Sequence, residues 1–205
     1  MSDTAWRVAV AGSRRATVER ATRETRVRVE LALDGTGESA VRTGIGFLDH
    51  MLDALARHGR FDLRVECEGD LVIDDHHTVE DCGLALGRAF ELALGDRRGI
   101  ARFGSAYAPL DEALCRAVVD FSGRGFGRAD LKLGPGSLGG LAKENVPHFM
   151  RSLASEARAA VHVDVLHGEN DHHKAEAAFK ALALALRQAT RVDGGGAVPS
   201  TKGVL

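Results

Sequence analysis

Residues 75–80 read Asp-His-His-Thr-Val-Glu, and residues 171–176 repeat the pattern as Asp-His-His-Lys-Ala-Glu. Each copy runs directly into a long stretch rich in Ala and Leu, whose apolar spacing predicts a helix. On a helix, the first His and the Glu of each copy stand four residues apart on one face, which is the spacing that a single metal ion needs. The second His points about 100° away from the first. The pattern therefore predicts two metal ions, one at the start of each helix.

The chain around these two copies is also duplicated. His50 precedes His76 by 26 residues, and His148 precedes His172 by 24 residues. Each half reads as alternating strands, a helix that carries this single His, another strand, and then the helix that opens with the His pair. We therefore predict two repeat halves, residues 1–96 and residues 97–205, the second of which ends in a substrate-binding tail.

Apolar periodicity and turn signals place the main elements of the two halves. Helices are expected at 47–58, 76–94, 144–160 and 172–191, and strands at 25–33, 61–68, 103–108, 113–121 and 161–166. The two helices that carry His pairs are apolar on nearly all sides, which is typical of helices in the middle of a structure. We predict an α+β fold of internally duplicated halves, with paired helices packed between two mixed β-sheets.

The composition narrows the class of protein. The 205 residues are 44% hydrophobic but only 5% aromatic, so the core is expected to be sizeable and aliphatic. A net charge of -2 gives no electrostatic reason to bind nucleic acid or a membrane, and no apolar run approaches the length that spans a bilayer. Cys67, Cys82 and Cys115 stand alone in apolar stretches, as is typical of core thiols in a reducing compartment. We expect a cytoplasmic protein with a small-molecule partner.

Six of the nine histidines occupy equivalent places in the two halves: His50, His76, His77, His148, His172 and His173. A single His on an apolar face is usually a core residue with its hydrogen bonds satisfied. A duplicated set of six instead favours metal ligation. Asp75 and Asp171 precede the His pairs and are either N-caps of the helices or hydrogen-bond partners of the imidazoles, with N-caps slightly favoured.

The spacing assigns one ion to His76 with Glu80 and the other ion to His172 with Glu176. If the halves are related by a pseudo-twofold axis, the second His of each pair serves the opposite ion. The single His of each half then completes a set of three imidazoles and one carboxylate. Such nitrogen and oxygen donors suit manganese, iron or zinc, and a six-coordinate ion keeps two positions open for substrate. The absence of thiolates argues against a closed structural zinc site.

Four motifs together resemble the imidazoleglycerol-phosphate dehydratase family. They are Gly44–Leu52, Asp74–Asp81, Asn170–Glu176 and Pro199–Gly203. The resemblance covers nearly the whole chain, and the lack of an extra domain makes it similar to the monofunctional form. It implies a fold like that of ribosomal protein S5 domain 2, two Mn(2+) ions per active site, and a 24-subunit shell with active sites at subunit interfaces.

The resemblance also implies a reaction, the conversion of D-erythro-imidazole glycerol phosphate to imidazole acetol phosphate with loss of water in histidine biosynthesis. The proton to be removed is barely acidic, so a side-chain base alone would face a large barrier. Two ions that bind the ring nitrogens favour the imidazolate, whose electrons can expel the C3 hydroxyl. Loss of a proton from C2 then yields an enol that tautomerises to the ketone.

The resemblance assigns roles to polar residues outside the His motifs. Arg102, Arg124, Ser200, Thr201 and Lys202 match phosphate-binding positions, and a phosphate dianion is well bound by several cationic donors. Without the resemblance, each arginine would be interpreted as an ordinary surface charge.

The residue that moves the proton is left open between three carboxylates. Glu24 matches a position that contacts substrate near the reacting carbons and is the first choice, with Asp111 and Glu112 as alternatives. His58 has no counterpart in the second half and is either a helix-end cation or a substrate contact. The tail follows Gly194–Gly196, a hinge-like run, and is therefore either a disordered end or a lid that closes over substrate.

Two other functions remain open at this stage. A binuclear metallohydrolase, such as a phosphatase, also uses paired metals and phosphate-binding arginines. The sites here are rich in His and poor in carboxylate, which favours binding of an azole ring over a bridging hydroxide. A metal-storage or metal-assembled structural protein is the third possibility, but it gives no role to Arg102, Arg124 or the tail.

Overall fold

The computed structural model describes residues 5–12, 14–203 and 205, in which strands alternate with long helices. The first half contains β1 (Ala5–Gly12), β2 (Arg15–Ala21), β3 (Thr25–Ala32), β4 (Ser39–Arg42), α1 (Gly46–Gly59), β5 (Asp62–Gly69) and α2 (His76–Leu94). The second half contains β6 (Phe103–Leu110), β7 (Ala113–Asp120), β8 (Phe126–Asp130), β9 (Ser137–Leu138), β10 (Leu141–Ala142), α3 (Asn145–Glu156), β11 (Ala160–His167) and α4 (Asp171–Thr190).

The strands form two large mixed sheets and one small ribbon. The first sheet has the order β1-β2-β3-β5-β4 and is antiparallel except for the β4–β5 pair. The second sheet has the order β6-β7-β11-β8 and is antiparallel except for the β8–β11 pair. Apart from β1, the two orders match strand for strand, and α1 and α2 correspond to α3 and α4. The repeat in the sequence is thus also a repeat of topology.

The helices form a layer between the two sheets, which confirms the predicted fold class. Helix α2 packs on the first sheet and on α3, whereas α4 packs on the second sheet and on α1. Val79 and Phe90 of α2 and Phe179 and Leu186 of α4 are fully buried. Burial of each such side chain stabilises the fold by about 1.5–3 kcal/mol. Among the described residues, no helix is both long and apolar enough to cross a membrane.

Two glycines on α2 allow α3 to approach closely. A Cβ atom at Gly83 would lie 2.9 Å from the Phe149 carbonyl oxygen, and a Cβ atom at Gly87 would lie 2.4 Å from the Leu153 carbonyl oxygen. Any larger residue at either position would force the helices apart. The close contact brings His148 at the start of α3 beside His76 at the start of α2.

Most element boundaries agree with the sequence prediction to within two residues. Helix α3 is an exception, because it ends at Glu156 rather than at Ala160. Ala160 already pairs with Asp120 of β7 and Phe126 of β8, so the chain there belongs to a strand. The glycine-rich segment 134–140 contributes β9 to a ribbon with β10.

Candidate metal centre

Two clusters of candidate metal ligands lie at the N-terminal ends of α2 and α4. The first cluster is His76, Glu80 and His148, and the second cluster is His50, His172 and Glu176. Within each cluster, one ligand atom per residue lies within 4.8 Å of the others. The sequence left open which cluster His50 and His148 join. The packing of α3 on α2 and of α1 on α4 places His148 with His76 and His50 with His172.

The first cluster contains a buried nitrogen without a hydrogen-bond partner. The rings of His76 and His148 stack, with centroids 4.7 Å apart and an interplanar angle of 21°. Nε2 of His148 lies 3.5 Å from Oε1 of Glu80 but forms no hydrogen bond with any described residue. Burial lowers the pKa of His148 and so favours the neutral ring, the form that ligates metals. An unpartnered nitrogen beside a carboxylate is satisfied by a bound cation, so these donors fit a metal ion.

The second cluster is arranged around one carboxylate. Oε2 of Glu176 lies 3.1 Å from Nε2 of His50 and 3.2 Å from Nε2 of His172. Oε1 of Glu176 lies 2.7 Å from Nζ of Lys180. Burial opposes ionisation of Glu176, but the contacts with Lys180 and the two imidazoles outweigh it and lower the pKa of Glu176 to about 2. The carboxylate is therefore ionised at neutral pH and available to a cation.

His77 lies outside both clusters and between two carboxylates. Its Nδ1 lies 3.1 Å from Oδ2 of Asp70, and its Nε2 lies 3.7 Å from Oε1 of Glu24. The hydrogen bond to Asp70 raises the pKa of His77. Its ring centroid is 6.0 Å from that of His76, so the first cluster and His77 are neighbours on one surface.

His173 repeats this arrangement in the second half. Its Nδ1 lies 2.6 Å from Oε2 of Glu112, and its Nε2 lies 3.8 Å from Oδ2 of Asp111. The hydrogen bond to Glu112 raises the pKa of His173 and, as the main cause, lowers the pKa of Glu112 to about 2. The pseudo-twofold interpretation of the sequence placed His77 and His173 in the opposite clusters. Within the described part of one chain, neither residue joins the opposite cluster.

The three candidates for proton transfer differ in their contacts. Glu24 in the β2–β3 turn and Asp111 in the β6–β7 turn lie in corresponding turns of the two halves and face the Nε2 atoms of His77 and His173. Glu112 is already occupied by hydrogen bonds to a ring and to the backbone. This geometry favours Glu24 or Asp111 over Glu112.

The helix starts differ from the predicted N-caps. Asp75 stands at the N-cap position of α2, but Oδ2 accepts a hydrogen bond from the backbone N–H of Ala142 instead of from α2. Asn170, rather than Asp171, caps α4, and Asp171 pairs with Lys143. The N-cap prediction was therefore wrong for Asp171. Because the adjacent residues Ala142 and Lys143 contact both helix starts, the two clusters lie at the same end of the helix layer.

Asp171 supports a prediction about stability and pH. Its carboxylate pairs with Lys143 at 2.8 Å and with the buried ammonium of Lys174 at 2.5 Å. We expect Asp171→Asn to lower the free energy of unfolding at pH 7 by about 1–3 kcal/mol, somewhat less than the loss of one partner from a fully buried pair. The pairs with Lys143 and Lys174 lower the pKa of Asp171 to about 2, so this stabilisation is present above about pH 4 and is lost as the pH falls towards about 2. Urea unfolding of the metal-free wild type and variant, at pH 7 and at about pH 2, measures the difference in their free energies of unfolding. An equal difference at the two pH values would contradict the assignment.

The candidate phosphate-binding residues gather at the other end of the helices. Arg102 pairs with Asp120 through an Nε–Oδ1 distance of 2.7 Å, and its Nη1 donates a hydrogen bond to the Pro199 carbonyl oxygen at 2.8 Å. Ser200, Thr201 and Lys202 follow Pro199 directly.

The rest of the tail is also held against the protein. The backbone N–H of Gly99 donates to the carbonyl oxygen of Ala197 at 3.0 Å. A Cβ atom at Gly123 would lie 2.5 Å from the carbonyl carbon of Leu205, so the chain end packs against Gly123, the residue before Arg124. The tail is thus held at Gly99, Arg102 and Gly123, and the interpretation as a disordered end does not describe it.

The two groups of candidate site residues are far apart within one chain. The backbone N–H of Arg102 donates to the carbonyl oxygen of Ala189 near the C-terminal end of α4. His172 stands at the N-terminal end of the same helix, and at 1.5 Å per residue the stretch from His172 to Ala189 spans about 25 Å. One chain therefore cannot place both its metal ligands and Arg102 around one small molecule.

His58 joins neither cluster. It is half-buried at the end of α1, and burial lowers its pKa.

Sequence reasoning missed some contacts of the candidate ligands. Oδ1 of Asn145 lies 3.2 Å from Nδ1 of His76. Lys180 could have been found, because it stands four residues after Glu176 on one helix face. Asp70 offers no such spacing signal, since its contact joins the end of β5 to α2.

Comparisons with known proteins point to one family. A sequence model of a family, described as imidazoleglycerol-phosphate dehydratase, matches residues 43–186, which contain both clusters but neither Glu24 nor the tail. The imidazoleglycerol-phosphate dehydratase of Candida glabrata is 55% identical over 206 residues, covering 92% of this chain and 98% of that protein. The one of Phytophthora nicotianae is 61% identical over 194 residues, which make up 95% of this chain but 43% of that longer protein.

Solved structures of the same enzyme also resemble the chain. The imidazoleglycerol-phosphate dehydratase of Pyrococcus furiosus matches with a TM-score of 0.80 and 38% identity, covering 91% of this chain and 99% of that one. The one of Staphylococcus aureus matches with a TM-score of 0.75 and 35% identity, covering 82% of this chain and 95% of that one.

Proposed function

The chain belongs to the imidazoleglycerol-phosphate dehydratase family, and we propose that it converts D-erythro-imidazole glycerol phosphate to imidazole acetol phosphate as a hydro-lyase of histidine biosynthesis. The observation that carries this proposal is the pair of His-rich clusters at one end of the duplicated helices, inside the matched residues. Two nitrogen-rich sites suit an azole ring with two nitrogens. The comparisons give no support to a phosphatase or to a storage protein.

Each cluster is proposed to hold one Mn(2+) ion, giving two per active site. The donors would be His76, Glu80 and His148 for one ion and His50, His172 and Glu176 for the other. When bound, the ions supply Lewis acidity that favours the anionic form of the substrate ring. The unpartnered Nε2 of His148 and the ionised carboxylate of Glu176 support this assignment.

The active sites are proposed to lie between copies of the chain in a homo-oligomer, a 24-subunit shell by resemblance to the family. The separation of about 25 Å along α4 between the second cluster and Arg102 supports sharing, because a small substrate cannot bridge it. His77 and His173 would then complete the clusters of neighbouring copies, which gives three imidazoles and one carboxylate per ion. Each ring lies beside its own cluster and outside it, as this arrangement requires.

The other polar residues are proposed to bind the phosphate and move the proton. Arg102, Arg124, Ser200, Thr201 and Lys202 would hold the phosphate, with Arg102 already oriented by Asp120. Glu24 would take the proton from C2, because its carboxylate faces the edge of His77 that points away from Asp70. The asymmetry between a strongly cationic end and a His-rich end would fix the orientation of the substrate.

The compartment is proposed to be the cytoplasm. Cys67, Cys82 and Cys115 are all unpaired thiols, which fits a reducing environment.

The proposed activity is tested by incubating the manganese-loaded protein with imidazole glycerol phosphate. We expect a ketone to form without release of inorganic phosphate. Release of phosphate would indicate a hydrolase instead. Formation of neither product, in protein that retains its metal, would refute the proposed activity and favour a storage or structural role.

Truncation after Val198 tests the tail. The removed segment contains the carbonyl oxygen of Pro199 that binds Arg102 and, among the residues that the structure describes there, no core residue, so the variant should fold and bind metal as the intact chain does. We expect kcat/KM to fall by at least about tenfold, or roughly 1.4 kcal/mol of transition-state stabilisation, because Ser200 and Lys202 no longer close over the phosphate. Binding of a triazole phosphonate should weaken in parallel. If both quantities are unchanged, Lys202 has no part in the site.

A further inference from the structure

We propose that Asp70 and Glu112 are positioning residues that hold His77 and His173 in the Nδ1–H tautomer, so that each ring offers Nε2 to a metal ion. This inference rests on the proposed function, in which these two rings complete the clusters of neighbouring copies. It adds two residues that act through His77 and His173 and decide whether those rings can ligate.

The proposal rests on the hydrogen bonds at Nδ1 of the two rings. Nδ1 of His77 lies 3.2 Å and 3.1 Å from the two carboxylate oxygens of Asp70, and Nδ1 of His173 lies 2.6 Å from Oε2 of Glu112. An ionised carboxylate can only accept hydrogen bonds, so the proton of each neutral ring must be on Nδ1. The lone pair is then on Nε2, which is the arrangement that metal ligation requires.

The two halves reach this contact from different elements. Asp70 follows β5, in the connection that leads to α2, whereas Glu112 lies in the β6–β7 turn. The topological counterpart of the β6–β7 turn is the β2–β3 turn, which carries Glu24 instead. Simple inheritance of a duplicated hydrogen bond would have used equivalent positions. The same chemistry at both rings, supplied from non-equivalent positions, indicates that the tautomer itself is required.

The two carboxylates differ in how freely they can turn. Oε1 of Glu112 accepts hydrogen bonds from the backbone N–H groups of Glu169 at 3.1 Å and Asn170 at 2.8 Å. An amide at position 112 must keep its oxygen on these two donors, so its NH2 group is forced towards Nδ1 of His173. The ring must then accept at Nδ1 and carry its proton on Nε2, which blocks ligation.

Asp70 has more freedom than Glu112. Among the described residues, its side chain has no hydrogen-bond partner besides His77. An amide at position 70 can therefore turn its oxygen towards Nδ1 and preserve the tautomer. Asp70→Asn and Glu112→Gln remove the same charge, yet the geometry predicts different outcomes, so each variant is a charge-matched control for the other.

The experiment measures metal binding and the tautomer separately. Calorimetric titration of metal-free protein with Mn(2+) is expected to show at least about tenfold weaker binding for one class of site in Glu112→Gln, and less than about threefold weakening in Asp70→Asn. Asp70→Ala, which has no acceptor at all, should weaken binding by about tenfold. Long-range nitrogen–proton NMR of the metal-free protein, recorded at a pH at which the ring of His173 is neutral, should show its proton moving from Nδ1 to Nε2 in Glu112→Gln only.

The outcomes separate this inference from the proposed function. Equal losses in Asp70→Asn and Glu112→Gln would indicate a charge effect and overturn the inference, as would an unchanged tautomer in Glu112→Gln. If Glu112→Gln does not fold, Asp70→Ala tests the inference instead. Unaltered metal binding in Asp70→Ala would overturn the inference. Wild-type protein that binds metal but forms no ketone would refute the proposed activity and leave the tautomer measurement standing.

Discussion

Replacing both His76 and His172 with alanine is expected to remove all measurable manganese from a protein that we expect to bind about two ions per chain. Each substitution takes one nitrogen from a cluster in which the donor atoms lie within 4.8 Å of one another. Loss of a residue that merely orients a ligand typically costs about 10–100-fold in metal affinity, so loss of a ligand in each cluster should cost more than about 100-fold at both sites. Dehydration should become undetectable, because neither ion remains to act on the ring.

Elemental analysis of the manganese-loaded variant, with turnover measured on the same sample, checks this expectation. His162→Ala is the matched control, since His162 lies on β11 beside Phe126 and belongs to neither cluster. That variant should keep both its metal and its turnover. A wild-type stoichiometry of one, or full retention of metal by the double variant, would refute the assignment of the two clusters.

The features that could be predicted from sequence are those carried by local spacing. The separation of four residues between His76 and Glu80 places both on one face of an α-helix. Helices α2 and α4 are apolar on nearly all sides, so they must be buried between other layers. Repetition of the pattern then defines the duplicated α+β fold, which the strand orders of the two sheets reproduce. These inferences need no knowledge of tertiary contacts.

The contacts that could not be predicted depend on the relative placement of elements. Asn170 and Asp171 are both good N-cap residues, and a shift by one residue carries no sequence signal. The pseudo-twofold argument treats His77 and His173 as equivalent, and their contacts are similar, but symmetry between the halves does not show that neither ring reaches the opposite cluster of its own chain. The glycines before the tail indicate freedom of the backbone, yet the tail is held by a hydrogen bond between Gly99 and Ala197 that composition cannot reveal.

Two inactive variants are expected to restore each other when assembled together. His76→Ala damages the metal end of a chain, and Arg102→Ala damages the phosphate end, about 25 Å away along the helix layer. If each active site combines the metal end of one copy with the phosphate end of another, a random equal mixture should regain about a quarter of wild-type turnover, because half of the copies are intact at each end. The two variants would carry different tags and be produced together in one cell, so that mixed assemblies can be isolated through both tags before the assay.

A mixture of His76→Ala with His148→Ala provides the matched control for this experiment. His76 and His148 belong to the same cluster of the same chain, where their rings stack at 4.7 Å. Every first cluster in that mixture therefore lacks one imidazole, and no turnover should return however the copies are arranged. Restoration in the first mixture alone would establish that metal ligands and phosphate ligands come from different copies. If mixed assemblies of His76→Ala and Arg102→Ala remain inactive, Arg102 does not belong to a site shared between copies. Because one chain cannot bring Arg102 to its own metal ligands, Arg102 would then lie outside the active site altogether.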